Sequence, residues 1–154
     1  MTTFLKNRDM KFSFHLLLTC IALTACGESG KTTADYRIVP RPGEIAPGDG
    51  GDFELDARTR IVCTGDGDGM RANAEFLAGY VESVVGSAPE ITGPDGLCDD
   101  GRAVILRADA PGKGGEAYEI EVSENRITVS GESDAGVFYG IQTLRKAMGA
   151  AKAA

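Results

Sequence analysis

The chain has 154 residues and a formal net charge of −7, with 16 basic and 23 acidic side chains. An acidic surface repels phosphate backbones, so this balance argues against nucleic-acid binding. There is no tryptophan and only one histidine, His15, so the chain is poor in sugar-stacking rings and in the usual base and zinc ligand.

Residues 1–25 have the pattern of a bacterial lipoprotein signal peptide. Three basic side chains precede an apolar run over residues 12–23, which is too short to cross a hydrocarbon core of about 30 Å. Leu-Thr-Ala-Cys at residues 23–26 matches a lipobox, so we predict lipidation at Cys26. The alternatives are an ordinary secretory signal followed by a chance cysteine, or a buried core helix.

Processing at Cys26 leaves roughly 130 residues, enough for one domain with a hydrophobic core. Three basic residues and one acidic residue leave with residues 1–25, so the formal charge falls from −7 to −9. His15 leaves as well, which removes any zinc site with histidine ligands. We expect no metal and no cofactor. A multiply acylated cysteine anchors a protein to a membrane without spanning it. We therefore predict a protein of the bacterial cell envelope, exported and lipid-anchored, facing the periplasm or the cell surface.

Besides the lipidated Cys26, two cysteines remain after this processing, Cys63 and Cys98. In an oxidising compartment they could form a disulfide, which would close a loop of about 36 residues and contribute roughly 3–4 kcal/mol. The alternative is two unpaired, buried thiols, because the sequence does not give the distance between their Cα atoms. Both alternatives stay open at this point.

The first part of the processed chain is predicted to be a tether followed by two strands. Residues 26–36 comprise the lipidated Cys26 and a short tether, 27–36, of polar and small residues. Residues 52–56 alternate, with Phe53 and Leu55 on one face, as in a half-buried strand. Residues 60–63 predict a second strand after a turn.

The clearest helix is predicted for residues 70–85. Its apolar residues recur at helical spacing and form one broad face. These residues are Phe76, Leu77, Tyr80, Val81, Val84 and Val85. Asp68 is the predicted N-cap, and Gly86 is the predicted left-handed residue after the helix. Residues 87–101 are rich in glycine, proline and aspartate and predict a loop.

A central strand and a hairpin are predicted next. The apolar run at residues 103–106 suits a strand that is buried on both faces. Residues 118–122 and 127–129 alternate between apolar and polar, and a Glu-Asn turn at residues 124–125 joins them. Asn125 tolerates the left-handed conformation that such a turn needs.

A second helix is predicted for residues 134–148, with Ser133 as its N-cap. Its apolar residues share one face: Val137, Phe138, Ile141, Leu144 and Met148. Gly136 and Gly140 each lower helix propensity by about 1 kcal/mol relative to alanine. Glycine at these two positions is expected if the helix backbone lies close against a sheet, where a side chain would not fit. Residues 149–154 form an Ala-rich tail.

The order of these elements predicts an α+β domain over residues 37–148. The expected architecture is a two-layer sandwich, a mixed β-sheet with two helices packed on one face.

Three stretches imitate chemical motifs without meeting their requirements. Residues 64–69 have the acidic spacing of a calcium loop, but the next ligand position is Met70. Residues 112–115, Gly-Lys-Gly-Gly, lack the ending of a phosphate loop. The solvated face of the hairpin and its flanking loop explain a group of carboxylates, Glu116, Glu119 and Glu121. We therefore predict no catalytic residue and no metal site in this chain.

Five segments share one order and spacing with a known family. They are Ile-Val-Pro-Arg-Pro at 38–42, Asn-Ala-Glu-Phe-Leu-Ala at 73–78, Gly-Glu-Ala-Tyr-Glu-Ile at 115–120, Arg-Ile-Thr-Val at 126–129 and Ala-Gly-Val-Phe-Tyr-Gly-Ile-Gln-Thr-Leu-Arg at 135–145. Together they resemble the N-terminal domain of family 20 β-N-acetylhexosaminidases, which precedes the catalytic barrel. The resemblance covers residues 37–146, and its last segment is the most distinctive.

The resemblance implies a domain that packs against a (β/α)8 barrel. In such enzymes the barrel carries an adjacent Asp-Glu pair. The Glu protonates the leaving oxygen, and the Asp orients the substrate's own 2-acetamido group, which attacks the anomeric carbon. No residue of this chain matches either carboxylate, and where the first barrel strand should begin the sequence turns into its alanine tail.

We therefore expect a truncated or fragmentary accessory domain of a secreted β-N-acetylhexosaminidase, an enzyme that removes terminal N-acetylhexosamine in carbohydrate metabolism. The parent would be the glycoside hydrolase, and this chain alone would not be an enzyme. The alternative is a free-standing lipoprotein that binds a partner protein through the surface that a barrel would cover.

Overall fold

The computed structural model describes residues 34–35, 37–38, 41–46, 48–97, 101–109 and 114–148, all within one compact unit. The predicted signal peptide, Cys26, Cys98 and the Ala-rich tail lie outside these residues. In chain order the elements are β1 (Arg60–Cys63), α1 (Asp68–Val85), β2 (Ile91–Thr92), a 3₁₀ turn (Pro94–Gly96), β3 (Ala103–Arg107), β4 (Tyr118–Val122), β5 (Arg126–Gly131) and α2 (Asp134–Ala147).

The strands form one mixed sheet in the order β2-β1-β3-β5-β4. The pairs β1–β2, β1–β3 and β3–β5 are parallel, and the hairpin pair β4–β5 is antiparallel. The apolar run of β3 lies at the centre of the sheet, as its composition predicted. Its register aligns Val104 with Ile61 on one side and with Ile127 on the other.

The main core lies between one face of the sheet and both helices. The strands contribute Ile61, Val104, Leu106, Ile127 and Val129, α1 contributes Met70, Ala74, Leu77 and Val81, and α2 contributes Val137, Ile141 and Leu144. Burial of each large apolar side chain stabilises the fold by about 1.5–3 kcal/mol. Because both helices share this cluster with a single sheet face, the predicted two-layer α+β sandwich is confirmed. In the described part of the chain, no helix has the length and apolarity that crossing a bilayer requires.

The ends of the helices agree with the sequence except at the start of α1. That helix begins at Asp68, and its N-cap is Gly67, which has no side chain to accept a hydrogen bond. Asp68 lies in the first turn, where its charge favours the helix dipole, so its predicted role as N-cap is wrong. Gly86 ends α1 at φ 83°, and the Ser133 side chain accepts a hydrogen bond from the Gly136 amide, as predicted.

The prediction of a strand at residues 52–56 is wrong. Phe53 and Leu55 do pack against the core, so the alternation identified the buried side correctly. The backbone, however, joins no ladder. It is held instead by contacts with side chains: the Glu54 carbonyl accepts a hydrogen bond from Arg102 Nη1 at 3.3 Å, and the Asp56 amide donates to Thr59 Oγ1 at 3.1 Å.

Two further details differ from the predictions. Strand β2 lies within the predicted loop 87–101, where it pairs through only two residues. The hairpin turn contains no left-handed asparagine, since no described non-glycine residue has a positive φ. The turn closes through Ser123 instead, whose amide and hydroxyl donate to the Arg126 carbonyl at 2.8 and 3.1 Å.

The two glycines of α2 lie against the sheet, as predicted. A Cβ at Gly140 would come within 2.5 Å of Val129 Cγ1, and a Cβ at Gly136 would overlap the Ala117 carbonyl oxygen. The absence of side chains therefore brings the α2 backbone close to β4 and β5.

Candidate interaction surface

The sheet face that points away from the helices is polar. At its centre lies a small buried cluster of Val62, Ala103 and Ile105. Strand alternation surrounds that cluster with polar and charged side chains. These are Arg60, Arg107, Glu119, Glu121, Arg126, Thr128 and Ser130. Such a face is compatible with water and needs no further layer.

The charges on the sheet face are compensated locally. Arg107 Nη2 lies 3.0 Å from Asp109 Oδ2. The hydrogen bond to Asp109 raises the pKa of the Arg107 guanidinium, and the same contact lowers the pKa of the Asp109 carboxyl. Both side chains are largely exposed, so the pair contributes little to stability.

The outer side of the helix layer has a different composition. Its aromatic helix surface consists of Phe76 and Tyr80 on α1 and Phe138, Tyr139 and Arg145 on α2. Phe76 and Tyr139 are 38% and 43% exposed, which is high for large apolar or aromatic groups on one patch. Aromatic residues and arginine are enriched in this way at the centres of protein interfaces.

The rings of this surface contact one another in tilted and edge-to-face arrangements. The Phe76 and Phe138 ring centroids lie 5.4 Å apart at 49°, and those of Phe138 and Tyr139 lie 6.0 Å apart at 62°. Rings in this geometry hold each other in place by packing.

Arg145 lies among the α1 rings of this surface. Its Cζ atom is 4.8 Å from the Phe76 centroid and 5.0 Å from the Tyr80 centroid, within the range of cation–π attraction. Its Nη1 donates to Gln142 Oε1 at 3.0 Å, and the Tyr80 hydroxyl donates to the Arg145 carbonyl at 3.3 Å. Burial raises the pKa of Tyr80, and the nearby Arg145 charge opposes that rise.

A cleft lies at the amino-terminal ends of β1 and β3. It is lined by Ala57, Arg58, Thr59, Arg60, Glu90, Gly101, Arg102 and Asn125. Asp56 binds two of its arginines: Arg102 Nη1 lies 2.8 Å and Arg58 Nη2 3.1 Å from Asp56 Oδ2. Burial raises the pKa of Asp56, but its hydrogen bonds to Arg58 and the Arg102 charge hold that pKa below its usual value.

This cleft does not suit a sugar ring. None of its lining residues is aromatic, so it offers no stacking platform. Its arginine side chains are engaged by Asp56, Glu54 and Glu90. These ion pairs connect the segment before β1 to the start of β3, so their role is structural.

The predicted site residues are dispersed. The Cys63 thiol donates to the Gly65 carbonyl at 3.4 Å, and since Cys98 lies outside the described residues, the disulfide stays a prediction. The carboxylates of Glu116, Glu119 and Glu121 are exposed. Across the described ranges, no group of three histidine, cysteine or acidic side chains could hold a metal ion.

The aromatic helix surface is the feature that the sequence did not reveal. The periodicity placed Phe76, Tyr80 and Leu77 on one broad face of α1. In the structure Leu77 is fully buried, whereas Phe76 and Tyr80 lie at the outer margin beside α2. The sequence signal that could have indicated this surface is a pair of aromatic residues, one turn apart, at the edge of the apolar stripe of α1.

Comparison with known proteins now gives the family. The chain matches the family model for glycosyl hydrolase family 20, domain 2, over residues 35–154. It is 30% identical over 112 residues to a β-N-acetylhexosaminidase of Cellulomonas fimi, covering 73% of this chain and 22% of that relative. The chain therefore belongs to the family of domain 2 of glycosyl hydrolase family 20, and the resemblance seen in the sequence is confirmed.

Solved structures agree with this assignment. The GH20 β-N-acetylhexosaminidase of Streptomyces coelicolor A3(2) superposes with a TM-score of 0.62 at 25% identity, covering 73% of this chain and 21% of that one. The Streptomyces plicatus β-hexosaminidase, solved in complex with GlcNAc, superposes with a TM-score of 0.58 at 25% identity and the same coverage. The chain thus spans about a fifth of the length of these relatives.

Proposed function

We propose that this chain is a non-catalytic accessory domain of an exported β-N-acetylhexosaminidase that removes terminal N-acetylhexosamine. The observation that carries the proposal is the match to domain 2 of family 20. The matched region is only about a fifth of the relatives, which leaves room in them for a catalytic barrel. In this proposal the domain stabilises and orients that barrel and does not bind sugar.

The chemistry of the described residues supports a non-catalytic role. A glycosidase of this kind needs a carboxylic acid held where it can protonate the leaving oxygen. The exposed carboxylates of Glu119 and Glu121 lie on a strand face in water. The cleft near β1 and β3 has paired charges and no ring for a pyranose to stack on.

A domain replacement tests this proposal. The segment of the S. coelicolor enzyme that matches this chain is replaced by the whole 154-residue chain. We expect the fusion to unfold as one cooperative unit and to hydrolyse an aryl N-acetyl-β-glucosaminide, because the two domains share a backbone fold. The control is the S. coelicolor enzyme with its segment deleted. A fusion no more stable and no more active than the deleted enzyme would contradict the accessory role.

We also propose that the protein is exported and anchored to a membrane by lipid on Cys26. The support is the residue pattern: a basic start, a short apolar run and the lipobox at residues 23–26. A lipid anchor would place the parent enzyme in the cell envelope, where it meets its glycans.

A second candidate function is a free-standing lipoprotein that binds a partner protein. The exposed aromatic helix surface favours it, since large apolar patches mark binding sites. The nucleotide sequence beyond codon 154 discriminates between the two. An in-frame or frameshifted continuation that encodes a barrel with an Asp-Glu pair supports the accessory domain, and a clean stop before an unrelated gene supports the second candidate.

A further inference from the structure

The chain enters the domain beside the last turn of α2. The Asp35 amide donates a hydrogen bond to the Ala147 carbonyl at 2.7 Å, and Ile38, shortly after it, is buried. Between them, Arg37 Nε lies 3.1 Å from Asp35 Oδ1. The predicted tether therefore ends at a fixed point on the domain, at the carboxyl end of α2.

The tether is short compared with the domain. Residues 27–34, between the predicted lipidation site and Asp35, span at most about 30 Å when fully extended. A flexible chain of that length spans about 15 Å on average. Helix α2, with 14 residues, is about 20 Å long. For the far end of α2 to reach a membrane, the tether would have to run back along the whole helix, so the end beside Asp35 stays nearer to the lipid.

The amino-terminal ends of the parallel strands lie at this same end of the domain. Helix α2 runs antiparallel to β5, because Gly136 lies against Gly131 and Gly140 lies against Val129. The last turn of α2 is therefore close to the start of β5. Strands β1 and β3 are parallel to β5 and start at the same end, where the arginine-lined cleft lies. We call it the tether end.

Basic side chains are concentrated at the tether end. They are Arg37, Arg58, Arg60, Arg102, Arg126, Arg145 and Lys146. Several carboxylates at this end form ion pairs with the arginines, namely Asp35, Glu54, Asp56 and Glu90. Positive and negative charges are therefore close to balance at the tether end, although the chain as a whole is acidic.

The opposite end of the domain is acidic. The residues that follow β1, β3 and β5 and begin the two helices include Asp66, Asp68, Asp109, Glu132 and Asp134. Arg107 compensates Asp109, but no ion pair among the described residues involves the other four. An anionic membrane surface repels this end by like charge. The tether and the charge distribution therefore favour the same orientation.

We propose that the tether end faces an anionic membrane surface and that Arg37 and Lys146 contact lipid phosphates there. The inference rests on the proposed lipidation of Cys26 and adds to it an orientation and a contact surface. Both side chains lie beside the hydrogen bond that fixes the tether, and both are exposed, that of Arg37 to 91%. The exposed ion pair of Arg37 with Asp35 is weak, so the guanidinium can also donate to a phosphate. Each cation at such a surface favours the contact by about fivefold.

The test places one tryptophan at either end of the domain. The chain has no tryptophan of its own, so a single one reports only on its own surroundings. Ala57→Trp lies in the cleft at the tether end, and Ala135→Trp lies in the first turn of α2 at the opposite end; both alanines are exposed. Each full lipidated chain is added to vesicles of phosphatidylcholine and phosphatidylglycerol. Part of the phosphatidylcholine carries a nitroxide on its headgroup, which quenches tryptophan at short range.

We expect quenching of Ala57→Trp to exceed that of Ala135→Trp at least about twofold, because the two ends are separated by about the length of α2. Combining Arg37→Gln with Lys146→Gln in both reporters should narrow this difference. The matched control combines Arg71→Gln with Arg107→Gln, which removes the same charge away from the tether end and should not narrow it. If Ala57→Trp does not fold, Asn125→Trp, at an exposed position of the hairpin turn, takes its place.

The outcomes separate the inference from the proposed lipid anchor. A lipidated chain that floats with the vesicles no better than residues 27–154 produced without lipid contradicts the anchor. A chain that floats, but in which both tryptophans are quenched equally, overturns the orientation and leaves the anchor standing. A quenching difference that is unchanged without phosphatidylglycerol, and unchanged by Arg37→Gln with Lys146→Gln, overturns the contact with anionic lipid.

Discussion

At the scale of single residues, Gly140 determines how closely α2 approaches the sheet. A Cβ there would lie 2.5 Å from Val129 Cγ1 and 3.4 Å from the Tyr118 ring. Alanine favours a helix by about 1 kcal/mol over glycine, but overpacking of this kind typically costs about 1–3 kcal/mol. We expect Gly140→Ala to lower the free energy of unfolding by about 1–2 kcal/mol, measured by urea denaturation.

Gly79 provides the matched control for this prediction. It lies in α1, and a Cβ there would meet nothing within 4 Å. Gly79→Ala should therefore raise the free energy of unfolding by about 0.5–1 kcal/mol through helix propensity alone. A Gly140→Ala protein as stable as Gly79→Ala would show that α2 can move away from the sheet without loss.

Cys26 carries the second prediction at this scale. Its position after Leu-Thr-Ala and a short apolar run predicts acylation. Expressed in a bacterium that processes lipoproteins, the chain should partition into the detergent phase, because several acyl chains bind a membrane stably. Cys26→Ala should move it to the aqueous phase. Equal partitioning of the two proteins would contradict lipidation.

At the scale of elements, the sequence predicted the helices and strands whose caps and periodicity are local features of the chain. Helix α2 has both a serine cap and a clean helical period, and its predicted bounds differ from the structure by one residue. Strand β2 was missed because two residues show no periodicity, and its pairing with β1 is a tertiary event. Residues 52–56 show why alternation alone is insufficient: it identifies a buried side but not a backbone partner.

The candidate site was harder to predict than the fold. A stripe of apolar residues on α1 gives a direction for burial, but not the width of the surface that the sheet covers. Leu77 and Val81 face the sheet, whereas Phe76 lies beyond its reach beside Phe138. Only the crossing of the two helices decides which side of the stripe remains exposed.

The segment before β1 is held by an ion pair that responds to pH. Asp56 accepts hydrogen bonds from Arg58 and Arg102, and these hold its pKa below 3.8 despite partial burial. A lowered pKa adds stability that is present above the unfolded pKa and is lost as the pH falls through the folded pKa. We expect Asp56→Asn to destabilise the domain by about 1–2 kcal/mol at pH 7.

That difference between wild type and Asp56→Asn should shrink as the pH falls below about 4, because the wild-type carboxyl then also becomes neutral. Asp109→Asn is the control. Its partner Arg107 and its own side chain are about half exposed, so a smaller effect is expected. A destabilisation by Asp56→Asn that is constant between pH 7 and pH 3 would show that lost packing, and not charge, is responsible.

At the scale of the whole molecule, the two layers are chemically unequal on their outer sides. The sheet presents charged and polar side chains to water, and the helices present aromatic rings around Arg145, which forms no ion pair within the described ranges. A domain that acted alone would gain nothing from the second arrangement. This asymmetry is what the proposed accessory role would produce, with one face toward solvent and one toward a larger neighbour; the matched region is about a fifth of the relatives.

The last prediction concerns activity. The purified chain alone should not hydrolyse aryl N-acetyl-β-glucosaminides. The carboxylates of Glu116, Glu119 and Glu121 are exposed to water on the hairpin and its flanking loop, which is not the enclosed setting of a positioned general acid. Glycosidases accelerate their reactions by many orders of magnitude, so even a weak active site would be detected above the uncatalysed rate. The measurement is a fluorogenic assay at high protein concentration, with the fusion to the S. coelicolor remainder as the positive control. Turnover that copurifies with the chain and disappears on substitution of one of these glutamates by glutamine would show that the hairpin region is a catalytic surface.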